Sequence, residues 1–243
     1  MRLFVTCDQQ MEFIVSGFYK GLALIFSGNP EIFAIARLSL TVSVLATAVA
    51  VLMGVPLGSW IAVKKFPLKK LLIAMANTGM GLPPVVAGLV VMLILTRSGP
   101  LGFLNWLYTP TGMIVAQVII ALPIITALSI SAMQSVDPKF YQQVLTLGAS
   151  DWQAIKVCLK EIRLTVLAAV IAGFGRLVAE VGAVMIVGGN IRHQTRVLTT
   201  ATVMETQMGN FDTAIALGLI LLTLSFAVNL VLTLIQQKKV DPR

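Results

Sequence analysis

Long apolar runs alternate with short polar segments along most of this chain. Five runs are each long enough for one membrane crossing, which takes about 20 helical residues: residues 32–63, 71–95, 111–134, 164–187 and 213–235. Apolar stretches of this length with few charges are typical of membrane-spanning helices. The pattern therefore predicts an all-α polytopic membrane protein with about five transmembrane helices.

The polar segment 137–163 interrupts this pattern between the third and fourth apolar runs. Asp137 is followed by proline, as at a helix N-terminus, and apolar residues then recur at helical spacing. Gly148 ends that helix, while Ser150 and Gln153 have the spacing of a capping box at the start of a second amphipathic helix. The segment predicts a helical hairpin on the membrane surface, where a cytosolic protein docks.

Composition agrees with a single membrane domain. The mean hydropathy is +0.92, and 57% of the 243 residues are apolar against 12% charged, far outside the usual range of soluble domains. We expect an N-terminal extracytoplasmic or interfacial segment over residues 1–31, a transmembrane domain over 32–237 and a cytoplasmic tail over 238–243. The net charge of +8 reflects basic cytoplasmic flanks and does not indicate nucleic-acid binding.

The distribution of Lys and Arg predicts the orientation in the membrane. Under a five-span topology, eleven of these residues fall on the side of the hairpin and six on the opposite side, and basic residues favour the cytoplasmic side. The hairpin and the C-terminus are therefore expected in the cytoplasm and the N-terminus outside. Residues 11–27 are apolar but short and contain Lys20, which favours an interfacial amphipathic helix, with a sixth span as the alternative.

Charged residues and prolines occur inside the apolar runs. Arg176 and Glu180 are one helical turn apart in the fourth run, where an isolated charge costs about 2.5–3.5 kcal/mol, so they are expected to pair. The pair either orients helices or leaves Arg176 facing a path for an anion. Pro83 and Pro84 lie in the second run, where proline bends a helix. That bend is either a packing kink or a hinge beside a passage.

The segment 188–196 combines flexible glycines with Arg192, His193 and Arg196, and with amide and hydroxyl donors that include Asn190. Such groups suit a hydrated oxyanion or an acidic partner surface, or they form a solvated loop near lipid headgroups. Enzyme motifs are not found: the chain has no phosphate-binding glycine loop, no zinc-spaced histidine pair and no serine elbow. No catalytic residue, metal ligand or cofactor is therefore assigned.

Several strings in the chain resemble the permease subunits of ABC importers for molybdate, tungstate and sulfate. Gly148 stands at the glycine of that family's motif of Glu-Ala-Ala, three residues and Gly, although Gln-Gln-Val replaces the Glu-Ala-Ala at 142–144. Residues 174–183 and 185–191 are similar to the tungstate branch of the family. The resemblance covers about residues 32–237.

This resemblance implies the type I ABC importer permease fold with a cytoplasmic coupling hairpin, and no catalysis in this chain. It implies a homodimer in the cell (inner) membrane, two cytoplasmic ABC ATPase subunits and an extracytoplasmic binding protein that delivers the oxyanion. Tungstate is the expected substrate, with molybdate or sulfate as alternatives. A secondary transporter or channel is the competing class of function, but ion-binding acids and an inverted repeat are not evident in the spans.

Two sets of residues are expected to carry this function. The residues expected to couple to the ATPase are Val144, Leu145, Thr146, Leu147, Gly148, Ala149, Ser150 and Asp151. The candidates for the translocation path are Arg176, Glu180, Pro83, Pro84, Asn190 and Arg196.

Overall fold

The computed structural model describes residues 7–26 and 30–237, and all regular structure in these residues is helical. The helices are α1 (Cys7–Phe26), α2 (Pro30–Val63), α3 (Lys69–Met80), α4 (Pro84–Leu95), α5 (Pro110–Gln134), α6 (Pro138–Thr146), α7 (Asp151–Glu161), α8 (Arg163–Val178), α9 (Gly182–Gly188), α10 (Leu198–Gln207) and α11 (Phe211–Gln237), with a short 3-10 helix at Gly102–Leu104. The predictions for residues 1–6, 27–29 and 238–243, which include the cytoplasmic tail, lie outside the described residues.

Three of these helices, α2, α5 and α11, are long and apolar enough to cross a membrane by themselves. Two further spans consist of two helices with a bend between them, of 103° between α3 and α4 and of 58° between α8 and α9. Counting each bent pair as one span gives five, which confirms the number predicted from the apolar runs. The second and fourth runs are thus each two helices rather than one.

Proline accounts for the first of these bends. Pro83 has an extended backbone, and Pro84 is the first residue of α4, a position where the missing N–H removes no helical hydrogen bond. By contrast, α2 and α5 continue as helices through Pro56 and Pro123. A proline in these runs therefore separates two helices only where a second proline precedes it.

The second bend occurs without proline. α8 ends at Val178, and Glu180 then accepts a hydrogen bond from the Ala183 amide at 3.0 Å as α9 begins. The carboxylate satisfies one of the amides that a helix N-terminus leaves without a partner, and it carries the charge that the helix dipole favours there. An acidic side chain thus stabilises a new helix start inside the fourth span.

The centre of the fold is the contact between α2 and α5. Gly54 and Gly58 of α2 lie against α5, where a Cβ atom added to Gly58 would be 2.5 Å from the carbonyl oxygen of Thr126. The fully buried Ala46 and Ala50 belong to the same core. Small side chains let two backbones approach closely, which drives helix association in lipid because apolar burial contributes little there.

The two bent spans also pack on each other, through α4 and α9. A Cβ atom added to Gly88 of α4 would be 2.6 Å from the Cα of Ala183 in α9. At the start of α9, a Cβ added to Gly182 would be 2.8 Å from the Cγ2 of Val85. The close approach of small residues therefore sets the position of the second half of each bent span.

α1 lies along the first part of α11. A Cβ added to Gly17 would be 2.7 Å from the Cβ of Ile215, and Lys20 forms an ion pair with Asp212 at 2.7 Å. α1 includes residues 11–26 of the helix predicted over residues 11–27, and it is not among the helices apolar enough to cross a membrane alone. Its lysine is thus held by a protein carboxylate.

Candidate coupling hairpin and translocation path

α6 and α7 form the helical hairpin that the polar segment predicts. Asp137 caps α6 by accepting a hydrogen bond from the Lys139 amide at 2.9 Å. The predicted capping box is present at α7: the Ser150 amide donates to Gln153 Oε1 at 2.8 Å, and the Gln153 amide donates to Ser150 Oγ at 3.4 Å. Both caps are local interactions, so a short stretch of sequence is enough to specify them.

The turn between the two helices is the most accessible part of the hairpin. Leu147 is 87% exposed, and Gly148 has a φ of +90° with no atom within 4 Å of an added Cβ, a conformation that favours glycine. The predicted coupling residues are arranged around this turn: Val144, Leu145 and Thr146 end α6, Leu147, Gly148 and Ala149 form the turn, and Ser150 and Asp151 begin α7. An apolar side chain at the tip is thus free to contact another protein.

The opposite side of the hairpin is buried against the ends of two spanning helices. Ile155 and Cys158 of α7, each 1% exposed, pack with Met133 of α5 and with Val63 of α2. Burial raises the pKa of the Cys158 thiol. Because the hairpin is joined to α2 and α5 by close-packed side chains, a displacement of its tip is transmitted to both helices.

A polar link ties the tip to α2 and to α6. Tyr141 Oη donates a hydrogen bond to Asp151 Oδ1 at 2.9 Å, and Lys64 forms an ion pair with the other oxygen of Asp151. Lys64 and Tyr141 hold the pKa of Asp151 below its ordinary value. Burial, together with the bond to Asp151, raises the pKa of Tyr141 to about 12.

Arg176 and Glu180 form the ion pair that the sequence predicts, but their environments differ. Arg176 Nη1 lies 2.9 Å from Glu180 Oε2, and the side chain of Arg176 is 38% exposed while Glu180 is 3% exposed. Glu180 is held further by the Ala183 amide and by Thr199, whose hydroxyl donates to the Glu180 carbonyl at 3.0 Å. Glu180 is therefore a buried structural anchor, whereas Arg176 reaches an accessible surface.

Pro83 and Pro84 lie near this ion pair because the two bends are adjacent. Gly182 lies between Val85 and Glu180: a Cβ added to it would contact Val85 and would also be 3.5 Å from Glu180 Oε1. Since Val85 directly follows the two prolines, the structure brings four of the six path candidates to one region between the bent spans.

The connection between α9 and α10 is held by hydrogen bonds. Asn190 Oδ1 accepts a hydrogen bond from Thr200 Oγ1 at 2.9 Å. Thr195, which is 1% exposed, donates to the Gly188 carbonyl and accepts from the Ile191 amide at 3.0 Å. Asn190 therefore helps to attach the loop to α10.

Arg196, the last path candidate, lies at the end of that connection. It lines a cavity of about 390 Å³ with Arg37 and Thr41 of α2 and with His193 and Gln194. The Nε atom of Arg196 is buried without a hydrogen-bond partner. The structure therefore separates Arg196 from the ion pair in the fourth span and joins it to residues of the first span.

A polar side chain within the spans bonds to the backbone of a neighbouring helix. Gln117 Nε2 of α5 donates to the Leu177 carbonyl of α8 at 3.2 Å. In residues 7–26 and 30–237, no group of three or more His, Cys, Asp or Glu side chains could hold a metal ion. The described residues thus form a packed helical assembly in which Arg176 and Arg196 are accessible cationic groups.

The sequence profile described as binding-protein-dependent transport system inner membrane component matches residues 54–241. This chain belongs to that family. The matched range includes the C-terminal end of α2, both bent spans and the hairpin. The permease therefore carries the family's pattern in the same elements that hold its candidate sites.

The relatives of this permease are named as transporters of oxyanions. It is 41% identical over 228 residues to the tungstate uptake system permease protein TupB of Peptoclostridium acidaminophilum, covering 94% of this chain and 100% of that protein. TupB of Campylobacter jejuni is 33% identical, with 91% of this chain and 92% of that protein covered. The sulfate transport system permease protein CysW of Synechocystis is 29% identical, with 91% and 83% covered.

A solved structure agrees with this family at the level of the fold. The crystal structure of a bacterial ABC transporter involved in the import of the acidic polysaccharide alginate matches the permease with a TM-score of 0.76 at 16% identity, covering 96% of this chain and 90% of that chain. At an identity this low, the similarity supports the same fold and carries no conclusion about function. The predicted ABC importer permease fold is confirmed.

Sequence reasoning missed three residues that the structure joins to the permease's candidate sites. Lys64 and Tyr141 bond Asp151 at the hairpin, and Arg37 faces the cavity beside Arg196. Lys64 is 87 residues from Asp151, and contacts at such separations have no spacing signal. The only signal for Lys64 and Arg37 was their basic charge, which by itself indicates a membrane flank.

Proposed function

We propose that this permease is the membrane-spanning subunit of an ATP-driven tungstate importer. The observation that carries the substrate is the 41% identity to a tungstate permease across 94% of the chain, compared with 29% to a sulfate permease. Tungstate, molybdate and sulfate are all tetrahedral dianions. The oxyanion class therefore follows from both groups of relatives, and the choice of tungstate rests on the higher identity.

The proposed assembly contains two copies of this chain, two ABC ATPase subunits at the hairpins in the cytoplasm and a binding protein on the outer side. The N-terminus is extracytoplasmic and the C-terminus cytoplasmic, as the basic flanks favour. ATP hydrolysis belongs to the partner subunits, and this chain has no catalytic residue and no cofactor of its own. The family description supports both the membrane location and the binding protein.

An accessible face of α8 supports the contact between the two copies. Thr165, Ala168 and Ala172 of α8 are exposed and recur at helical spacing, and the exposed Ala179 directly follows the helix. Small residues on the face of a spanning helix permit another helix to approach closely. We assign the second copy to this face. Arg176 follows Ala172 by one turn on the same face, so its guanidinium borders the passage between the copies.

The hairpin provides the mechanical connection in this proposal. ATPase subunits contact the Leu147 tip, and the buried side of α7 transmits their movement to α2 and α5. Binding energy can favour an outward- or inward-facing state only if the ATPase contacts differ between the two states. The bent spans beside the passage are the elements that these states rearrange.

The experiment is uptake of labelled tungstate by proteoliposomes that contain the complete complex, the binding protein and ATP. We expect accumulation that requires ATP and the binding protein, and that excess unlabelled tungstate suppresses more strongly than molybdate or sulfate. A complex with a catalytically inactive ATPase is the control. Accumulation driven by an ion gradient without ATP would establish a secondary transporter instead, and stronger suppression by sulfate would establish a sulfate permease.

A further inference from the structure

The cavity beside Arg196 is a cleft that opens to the surface between two separate elements. Its walls come from two elements that are far apart in sequence: Arg37 and Thr41 from α2, and His193, Gln194 and Arg196 from the connection between α9 and α10. We call these five residues the arginine pocket. The hydrogen bonds described above already fix the α9–α10 connection, so its donors need little ordering when a ligand binds.

The arginine pocket has an excess of positive charge. The one carboxylate at its edge belongs to Glu31, which Arg192 holds in two hydrogen bonds of 2.8 Å each. The ion pairs of the described residues leave Arg37 and Arg196 without a carboxylate partner. The Glu31 carboxylate also attracts Arg196 through space. The cavity therefore has two guanidinium charges, from Arg37 and Arg196, and one carboxylate, whose hydrogen bonds go to Arg192.

The side chain of Arg196 gives an independent indication of a ligand. Its Nε atom is buried and has no hydrogen-bond partner, and its Nη2 atom contacts the sulfur of Met204 at 3.5 Å, which is a weak acceptor. A buried charged donor in this situation is unfavourable unless an anion or water meets it. An anion in the arginine pocket would balance the charge of this guanidinium, and it would reach Nε itself only after a shift of the Arg196 side chain.

We propose that the arginine pocket binds a free tetrahedral oxyanion dianion before that ion enters the passage between the two copies. Two guanidinium groups balance the two charges, and their planar arrays of N–H donors match the oxygens of such an ion. Gln194 adds an amide donor, whereas the Thr41 hydroxyl already donates to the Arg37 carbonyl at 2.8 Å. The pocket is an additional anion site, separate from Arg176, and the identity of the anion as tungstate rests on the proposed function.

The test measures equilibrium binding of tungstate to the purified permease alone, in phosphatidylcholine nanodiscs at fixed salt. We expect saturable binding by the wild type and a loss of affinity of at least about ten-fold in Arg37→Gln and in Arg196→Gln, since each variant removes charge-assisted hydrogen bonds. Arg97→Gln is the matched control, because it removes one positive charge from an exposed arginine outside the pocket. We expect Arg97→Gln to bind as the wild type does.

Two outcomes would overturn the proposal. One is an absence of saturable binding by the wild type, and the other is equal affinity in all three variants. A repeat with phosphatidylglycerol in the nanodiscs separates a free oxyanion from a lipid phosphate. Unchanged affinity supports the free ion, whereas loss of the Arg196-dependent binding would assign the pocket to a lipid headgroup and contradict the proposal.

The same variants separate this inference from the proposed function. Uptake of tungstate by the wild-type complex tests the function and does not depend on where the ion first binds. If the complex accumulates tungstate but the arginine variants bind it normally, only the arginine pocket is rejected. If the permease binds tungstate at the pocket but the complex does not accumulate it, only the importer is rejected.

Discussion

Tyr141 donates a hydrogen bond to Asp151 across the hairpin, with 2.9 Å between Oη and Oδ1. The bond joins α6 to the first residue of α7, and Lys64 attaches the same carboxylate to the end of α2. One carboxylate thus links both hairpin helices to the end of a spanning helix, in addition to the buried contacts of Ile155 and Cys158. A partner that pushes on the tip therefore acts on α2 directly.

We expect Tyr141 to ionise near pH 12, whereas an ordinary tyrosine ionises near pH 10. Because folding raises this pKa, the stabilisation that the neutral hydroxyl contributes is complete below pH 10 and is lost as the pH rises through about 12. The measurement is the tyrosinate absorbance of the folded permease, compared with that of Tyr141→Phe. The chain has three tyrosines, so the difference between the two curves isolates Tyr141. A difference curve centred near pH 10 would contradict the expectation.

A bulky side chain at Gly148 is expected to abolish uptake without removing the permease from the membrane. Gly148→Val places a β-branched residue at a φ of +90°, which costs about 1–2 kcal/mol. No atom of this chain lies near the added side chain. We therefore expect the side chain to obstruct an ATPase subunit docked at the tip. The measurement is ATP-driven uptake at equal permease content.

Gly209 supplies the matched control for that variant. It has a φ of +79° and no atom within 4 Å of an added Cβ, so Gly209→Val introduces the same kind of strain at the turn between α10 and α11. We expect both variants to lose similar stability and only Gly148→Val to lose ATP-driven uptake. Normal uptake by Gly148→Val would count against docking at the tip, and equal loss in both variants would attribute the effect to strain.

Gly58→Ala is expected to lower the free energy of unfolding by about 1–3 kcal/mol, as overpacking does. The new methyl group would lie 2.5 Å from the Thr126 carbonyl oxygen and 2.8 Å from the Cβ of Ser129, and neither backbone can yield without separating α2 from α5. Denaturant unfolding in detergent measures the effect.

Gly218→Ala in α11 is the control, because its methyl group has open space, and it should be neutral. Equal stability of the two variants would disprove the close α2–α5 contact.

A double-mutant cycle tests whether Arg176 has a role beyond its ion pair. Arg176→Gln should lower the free energy of unfolding by about 1–2 kcal/mol, because it leaves the buried Glu180 carboxylate without its cation while water still reaches this position. Glu180→Gln retains an oxygen for the Ala183 amide, so the double variant should regain most of that stability. An exchange of the two residues is less informative, since it would place a cation against the Ala183 amide donor.

Uptake by that double variant then distinguishes the two roles. If the pair only orients helices, Arg176→Gln/Glu180→Gln should transport at a rate near that of the wild type. If Arg176 meets the anion in the passage, the double variant should fold and yet transport poorly. The latter result is expected from the accessible position of Arg176 on α8.

The membrane spans and the hairpin helices of this protein could be predicted from its sequence because they depend on local features. The apolar runs specified five crossings because membrane spans must be apolar over a known length, and the hairpin followed from Asp137, Ser150 and Gln153, whose side chains cap helices within three residues of themselves. The bend at Pro83 and Pro84 was predictable for the same reason, since proline acts on its own backbone.

Only the tertiary structure decided which polar groups from distant parts of the chain meet and where the fourth span bends. Glu31 pairs with Arg192 across 161 residues, and Arg37 joins Arg196 at one cavity, because packed helices bring together residues that no spacing rule relates. The bend after Val178 depends on Glu180 capping α9 and on Gly182 approaching Val85. The chain thus encodes its spans, its caps and the Arg176–Glu180 pair by local sequence, whereas its long-range ion pairs and its pocket arise from distances that exist only after the helices pack.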